Sequence, residues 1–564
     1  MKRILAVLSI CVLAAVAGAQ TVTVDNTNGS PDNSTTFNSI MMALHSFQAS
    51  GKVTASTDGS GVGVNHGNPA PNVIQVVGTG TTYSEIIRVD ERATSSEQNV
   101  QDEDFTIIGI AGIEAKPVIA PQDDGTNDDD GFEIRTDVNY TIENCIFVWD
   151  GNFPHSALGA YLMTLDRLNP TVGTPSTVLI KDCVFTSEDA SNKPIVTNKD
   201  EAFIDRRSEL SASPQGRDLG IFPDLNEGMI ATVKDCVFSH TTSWNTSRHA
   251  SVFVFFGGTS TSWQEEAGAI IDGCVIAYNP GVGIEMQSGG NSLDATKQYV
   301  KVTGTNAKSG GIATGRPTVI AYQGNTNLPN NGTALFLFES ENSTASTRAY
   351  TYDINNLWAI GCTGPAINTV IFGVGMNMYG DIDDCLFVGN NTLSSNTDTI
   401  SLGWQNDPVG PINIPTTMNM TDTTIIANTA GASGTALHFV NYPGAKTFNL
   451  NNVIIGASIG AAGPITGIFN EGATVVNVND SLIAGSGNNA VATATNNTGT
   501  GAINLTGVLT VDPQLVNNVP ISDPTYFDAL NQALVGARTG GFDLDGGRLI
   551  GPAPTSAKTW DMYL

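Results

Sequence analysis

A chain of 564 residues with 60 glycines, 14% charged residues and a formal net charge of −29 lacks the basic balance that nucleic acid or an anionic membrane surface requires of a partner. Its length exceeds a usual single domain, and the exception is a repeat architecture, which lengthens without thickening its core. The dominance of Asn, Thr, Ser and Gly favours strands and turns over helices.

The chain opens with Lys2 and Arg3, an apolar run from Ile4 to Val16, and the small residues Ala17, Gly18 and Ala19. That order of charge, apolar stretch and small residues describes a secretory signal peptide over 1–19, with the mature chain beginning at Gln20. The run is too short to span a bilayer comfortably, and no later stretch is apolar for long enough, so no membrane insertion is expected after the signal is removed. The implied location is extracellular or at the cell surface, with periplasm or outer membrane open. Export permits disulfides among the six cysteines left after Cys11 departs with the signal.

Residues 20–72 form an N-terminal segment. Within it Phe37, Ile40, Met41, Leu44 and Phe47 recur at helical spacing, which predicts an amphipathic helix over 36–47. Ser34, Thr35 and Thr36 are its candidate N-caps. A helix there would cover the open end of whatever follows and keep its strand edge from pairing with other chains. From Val73 the sequence VIQVVGTGTTYSEIIRVDE, then FTIIGIAG from Phe105, reads as strands with glycine corners.

A six-residue pattern then recurs: apolar, any, Asp/Asn/Gly, small or apolar, any, apolar. It starts at Ile142, Ile180, Val233, Ile271, Ile354, Ile382, Met420, Leu450, Val478 and Leu505, with late spacings of 28, 38, 30, 28 and 27. The 83-residue interval from Ile271 to Ile354 hides two or three weakly marked coils. Strand side chains alternate faces, so the first apolar residue points inward. Asp, Asn or Gly at the third place tolerates a left-handed backbone and bends the chain. The fourth place starts the next strand facing inward and is Cys in five repeats. Stacked coils therefore place Cys145, Cys183, Cys236, Cys274 and Cys385 on one interior ladder, as free thiols packing like small hydrophobes or as disulfides. Cys362 is out of phase and fits a turn. The pattern predicts an all-β fold, a right-handed parallel β-helix over 73–511. It is followed by a C-terminal cap or tail over 512–564, where the repeat is lost.

The opening NVIQVVGTGTTYSEIIRV with FTIIGIAG, the repeats, and the ending VDPQLVNN through GGFDLDGGRLIG resemble the pectate-lyase-like superfamily of secreted right-handed β-helix proteins. The resemblance speaks for fold and poorly for activity, because the superfamily holds lyases, hydrolases, adhesins and structural proteins. It implies three strands per coil, with carbohydrate bound along the strand after the long variable turn. On that implication Glu133, Arg135, Tyr161, Glu285 and Gln287 form a candidate carbohydrate face, or else a solvated outer sheet face.

The turn before Phe132 carries Asp123, Asp124, Asp128, Asp129 and Asp130. Clustered carboxylates suit Ca²⁺, which the lyases of the superfamily use, although the ligand order of an EF-hand is absent and a solvated acidic turn fits as well. No cofactor is required by this reading beyond that possible Ca²⁺. Lys193, Lys199, Arg206, Arg207 and Arg217 form the densest basic stretch, suited to carboxylates of an acidic glycan or to the Asp200, Glu201, Asp205 and Glu209 beside them. The superfamily's polygalacturonase-like hydrolases need an NTD motif followed by GHG and RIK. Asn396-Thr397-Asp398 stands without the other two and reads as a chance match. No zinc spacing, nucleophile elbow or phosphate loop occurs, and His155, His240 and His438 fall near repeat boundaries, as loop positions. Two functions remain: a scaffold or carbohydrate-binding, adhesive surface contacting polysaccharide or cell-surface glycan, and a lyase or hydrolase acting on an acidic polysaccharide. Oligomeric state is not legible.

Overall fold

The computed structural model describes residues 20–28, 36–45, 72–90 and 104–121, and from 132 to 511 the strands and corners with the shorter loops between them. Three long parallel sheets enclose one apolar core, the first of 15 strands and the second and third of 12 each. Each strand pairs with the equivalent strand one coil away: Ile142 faces Ile180, Ile180 faces Val233, and Val233 faces Ile271. Parallel crossovers of this kind are right-handed. The architecture is the parallel β-helix that the repeat and the resemblance implied.

The corner between the first and second sheets explains the repeat. Asn144, Asp182, Asp235, Gly273, Asn356, Asp384, Asp422, Asn452, Asp480 and Gly507 all have φ between 46° and 67°. These are the third places of the ten recurrences, and their short polar side chains or lack of Cβ make the left-handed bend tolerable. The hidden repeat is the strand Gln298–Thr303, whose Val302 pairs with Ile354. Its corner is replaced by an excursion carrying a small antiparallel pair, Lys308–Ser309 with Ile312–Ala313. The interval therefore holds one coil without the signature, not two or three, because long excursions rather than further coils take up its length.

Inside, like stacks on like. Phe147 and Phe185 stack with centroids 5.2 Å apart, and Phe185 and Phe238 at 4.7 Å, nearly coplanar. All three are almost fully buried; each such ring contributes roughly 1.5–3 kcal/mol of apolar burial. Cys145, Cys183, Cys236 and Cys274 occupy consecutive rungs at the corner, shown by the amides of Val184, Val237 and Val275 donating to the carbonyls of Cys145, Cys183 and Cys236. Thr318 and Leu357 then interrupt the row before Cys385 resumes it. All six cysteines are free and buried. Cys183, Cys236 and Cys274 donate weakly to the carbonyls of Ile142, Ile180 and Val233 in the preceding coil. Burial pushes the thiols of Cys145 and Cys236 well up and that of Cys385 up to about 12. Cys362 sits, also buried, in the bend after Leu357–Ile360.

On the outer face of the first sheet, amide side chains form a row along the solenoid. The Asn419 amide donates to Asp381 (3.2 Å), Asn449 to Asn419 (3.1 Å), Asn477 to Asn449 (3.0 Å) and Asn504 to Asn477 (2.9 Å).

The N-terminal end departs from expectation in detail. The first sheet extends back past Val73, because Gln20–Val24 pairs with Asn72–Val77 and also with Thr36–Phe37. Thr36 and Phe37 are thus extended, and the helix, α1, begins at Ile40 and is described over Ile40–His45, with Phe47 outside the described residues. Ser34 and Thr35 lie outside the described residues, and Thr36 does not cap it. Ser39 does, accepting from the Met42 amide, while Glu85 of the first coil accepts from the Ser39 hydroxyl (2.7 Å) and the Ile40 and Met41 amides (3.0 and 2.9 Å). Ile40, Ala43 and Leu44 are buried against the first coil, so the end is closed as a cap requires. At the other end Leu505, Leu509 and Val511 are half exposed, and residues 512–564 lie outside the described ones. Among the described residues no helix is long and apolar enough to cross a membrane.

Candidate functional site: the outer face of the third sheet

The five residues assigned to a carbohydrate face all fall on the third sheet. Glu133 and Arg135 lie in Phe132–Arg135, Tyr161 in Ala160–Asp166, and Glu285 and Gln287 in Val282–Ser288. Phe132, Ile134, Ile284 and Met286 are buried in the core, and of the five candidates only the side chain of Glu285 is among those described. Arg135 stands in register between two acidic positions, Asp90 of the coil before and Asp166 of the coil after. Thr164, not Tyr161, stands in register with Glu133, and Tyr161 pairs with Asp218 of the following coil. Glu285 is only 6% exposed, flanked in register by Phe253 and Phe336, so this coil does not offer the open, shallow surface expected of it. Asp123 to Asp130 and Lys193 to Arg207 lie outside the described residues; Arg217 begins a third-sheet strand opposite Ala160.

The row through Glu285 continues toward the C-terminus as Phe336, Asn368, Ser401, His438, Phe469 and Asn496, each in register with the next. Here lies an arrangement that the sequence reading missed. His438 is in the strand Gly434–Phe439, not in a loop, and Asp398, dismissed as part of a chance motif, begins Asp398–Leu402 one coil below. Leu437 and Phe439 face the core, so alternation turns His438 outward. Its Nδ1–H donates to Asp398 Oδ2 at 2.6 Å, and its Nε2 lies 3.4 Å from Glu471 Oε2. The imidazole stacks on Phe469 of the next coil, with centroids 4.9 Å apart and planes 12° from parallel.

His438 and Asp398 are largely enclosed, their side chains 13% and 12% exposed, whereas Glu471 at 38% reaches solvent. Burial alone would disfavour the imidazolium. The hydrogen bond to Asp398 and the charges of Asp398 and Glu471 outweigh it and raise the His438 pKa above its ordinary value. Three side chains from three successive coils thus place an imidazole between two carboxylates, with an aromatic ring beside it. Such a cluster can hold a cation, pair with a polar ligand, or move a proton. The signal that could have found it is the alternation of Gly434–Phe439, GTALHF, aligned with DTISL one coil earlier and ITGIFN one coil later. Among the described residues no group of His, Cys, Asp and Glu is arranged to hold a metal ion.

No protein-family model and no curated protein matches the chain. Among solved structures it is similar to the periplasmic alginate epimerase AlgG, at 8% identity and a TM-score of 0.32, over 73% of this chain and 78% of that one. It is similar also to the catalytic unit of a GH87 α-1,3-glucanase from Streptomyces thermodiastaticus strain HF3-3, at 10% identity and a TM-score of 0.32, over 78% of this chain and 64% of that one. Likeness this low carries no argument about activity, and the fold assignment rests on the three parallel sheets of the chain itself.

Proposed function

We propose that this is an exported protein whose β-helix acts as a scaffold and whose third sheet presents a carbohydrate-binding, adhesive face at or beyond the cell surface. The observation that carries the reading is the accessible part of that row, Asn368, His438, Phe469 and Asn496, with Phe336 and Ser401 buried in the same row. An aromatic ring stands there among hydrogen-bonding groups at the fixed spacing of adjacent strands. Apolar and aromatic surface with a few placed polar groups is the composition of small-ligand sites, and a sugar offers C–H faces and hydroxyls to match. The test is a binding and degradation screen of the chain from Gln20 to Leu564 against neutral, acidic and amino polysaccharides, with and without Ca²⁺. Retention of one glycan class without turnover supports the reading; no retention at all overturns it.

A second reading, a polysaccharide lyase or hydrolase, is favoured by His438. A histidine paired with carboxylates on a ligand-facing surface suits general acid–base work, which needs a group titrating near neutrality. Unsaturated uronate absorbance that requires Ca²⁺ would direct mutagenesis to Asp123, Asp124, Asp128, Asp129, Asp130 and Arg135. New reducing ends without that absorbance would direct it to Asp398, His438 and Glu471.

A further inference from the structure

We infer that the C-terminal half of this face selects a glycan bearing protonated amino groups, with an ammonium group seated at Glu471 beside Phe469. The inference rests on the carbohydrate reading above and adds the charge class of the ligand, which the superfamily resemblance would make acidic.

Charge complementarity carries it. The seven third-sheet strands from Val282–Ser288 to Thr493–Asn497 contain no Lys or Arg. The nearby cations belong elsewhere: Lys301 and Lys446 lie over Tyr299 and Tyr379 of first-sheet strands. The ionisable groups of the cluster are Asp398, His438 and Glu471, which sum to one negative charge with His438 protonated and two without.

A uronate polymer laid along the row would meet this charge with like charge and, among the described residues of these strands, no compensating cation, which costs affinity and steers encounter away. A neutral glycan could use Phe469 and Asn496 but would cover Glu471 with no partner beyond His438 Nε2 at 3.4 Å, so the solvent-facing part of the carboxylate would lose its water uncompensated. An ammonium group pairs with the exposed Glu471 carboxylate and lies near the Phe469 ring, where the ring quadrupole adds attraction. Asp398 is already committed to His438 Nδ1, which leaves Glu471 as the accessible anion.

The test is calorimetric titration of the chain from Gln20 to Leu564, at physiological salt, with three short oligosaccharides: a glucosamine tetramer, its N-acetylated counterpart and a galacturonate tetramer. The expected result is at least about tenfold tighter binding of the glucosamine tetramer than of the N-acetylated one, and none of the galacturonate. Glu471→Gln and Phe469→Ala should each weaken that binding about tenfold, at unchanged circular dichroism. Glu114→Gln, an exposed carboxylate near the opposite end of the solenoid, should leave it unchanged. If Glu114→Gln weakens binding as much as Glu471→Gln, the attraction is the general field of an acidic protein and the site assignment is overturned. Equal affinity for the two glucosamine forms, or preference for galacturonate, overturns the charge class and leaves the carbohydrate reading standing. Failure of all three to bind overturns both.

Discussion

His438 donates to Asp398 across adjacent coils at 2.6 Å, and this bond has a consequence for pH. The folded-state pKa of His438 is raised above the ordinary value of 6.5, so the fold binds its proton more tightly than the unfolded chain does. The stability this supplies is fully present below 6.5 and is lost as pH rises through the folded value. The melting temperature of the wild type should therefore exceed that of His438→Gln most at mildly acidic pH, and the gap should narrow toward alkaline pH. A gap that widens with pH would contradict the protonated cluster. Because a cation at Glu471 competes with that proton, glucosamine binding should release protons, measurable as a buffer-dependent enthalpy.

The left-handed corners are the most replaceable and the least forgiving positions. Asp235 has φ of 54°, a conformation that Asp tolerates and a β-branched residue does not. Asp235→Gly should be close to neutral, while Asp235→Val should lower stability by about 1–2 kcal/mol. Urea midpoints of the two variants check this, and equal midpoints would mean that the corner relaxes.

Phe185 and Phe238 stack in the aromatic row, with Ile276 next in register, so truncating one leaves a cavity between two coils that cannot collapse onto each other. Phe238→Ala should cost about 3–5 kcal/mol. Phe238→Asp should abolish folding or secretion, because an unpaired carboxylate has no partner in that interior. Wild-type secretion and melting of Phe238→Asp would refute the inward assignment.

The free cysteines should be silent in the native protein. Cys145, Cys183, Cys236 and Cys274 are fully buried, and thiolate formation at Cys145 and Cys236 is suppressed by burial. An aromatic disulfide reagent should titrate none of the six in buffer and all six in guanidinium. Rapid labelling in buffer would show that the coils open individually.

The corner was legible because a left-handed backbone accepts few residue types, so Asp, Asn and Gly mark it ten times in sequence. The inward rows were legible because alternation is local. The coil at Gln298–Thr303 escaped because its corner is an excursion, which leaves no residue-type constraint to read. The Glu85 cap of α1 escaped for a different reason: it joins positions 46 residues apart through a side chain that no local pattern requires. His438 shows the limit most clearly. Its strand was readable from alternation, but its partners Asp398 and Glu471 come from other coils, and only the stacking register, which loops of unequal length conceal, brings them together.

The amide row on the first sheet carries a polarity of its own. In Asn449, Asn477 and Asn504 the NH₂ group donates toward the earlier coil, so every side-chain carbonyl points toward the later one. Side-chain dipoles aligned head to tail reinforce one another along a chain of hydrogen bonds. The row is therefore an electrical axis laid outside the barrel, with its negative pole at Asn504. A donor stacked beyond Asn504 would extend this axis, whereas an acceptor would be repelled, so the solenoid distinguishes its two ends even where its sheets look alike.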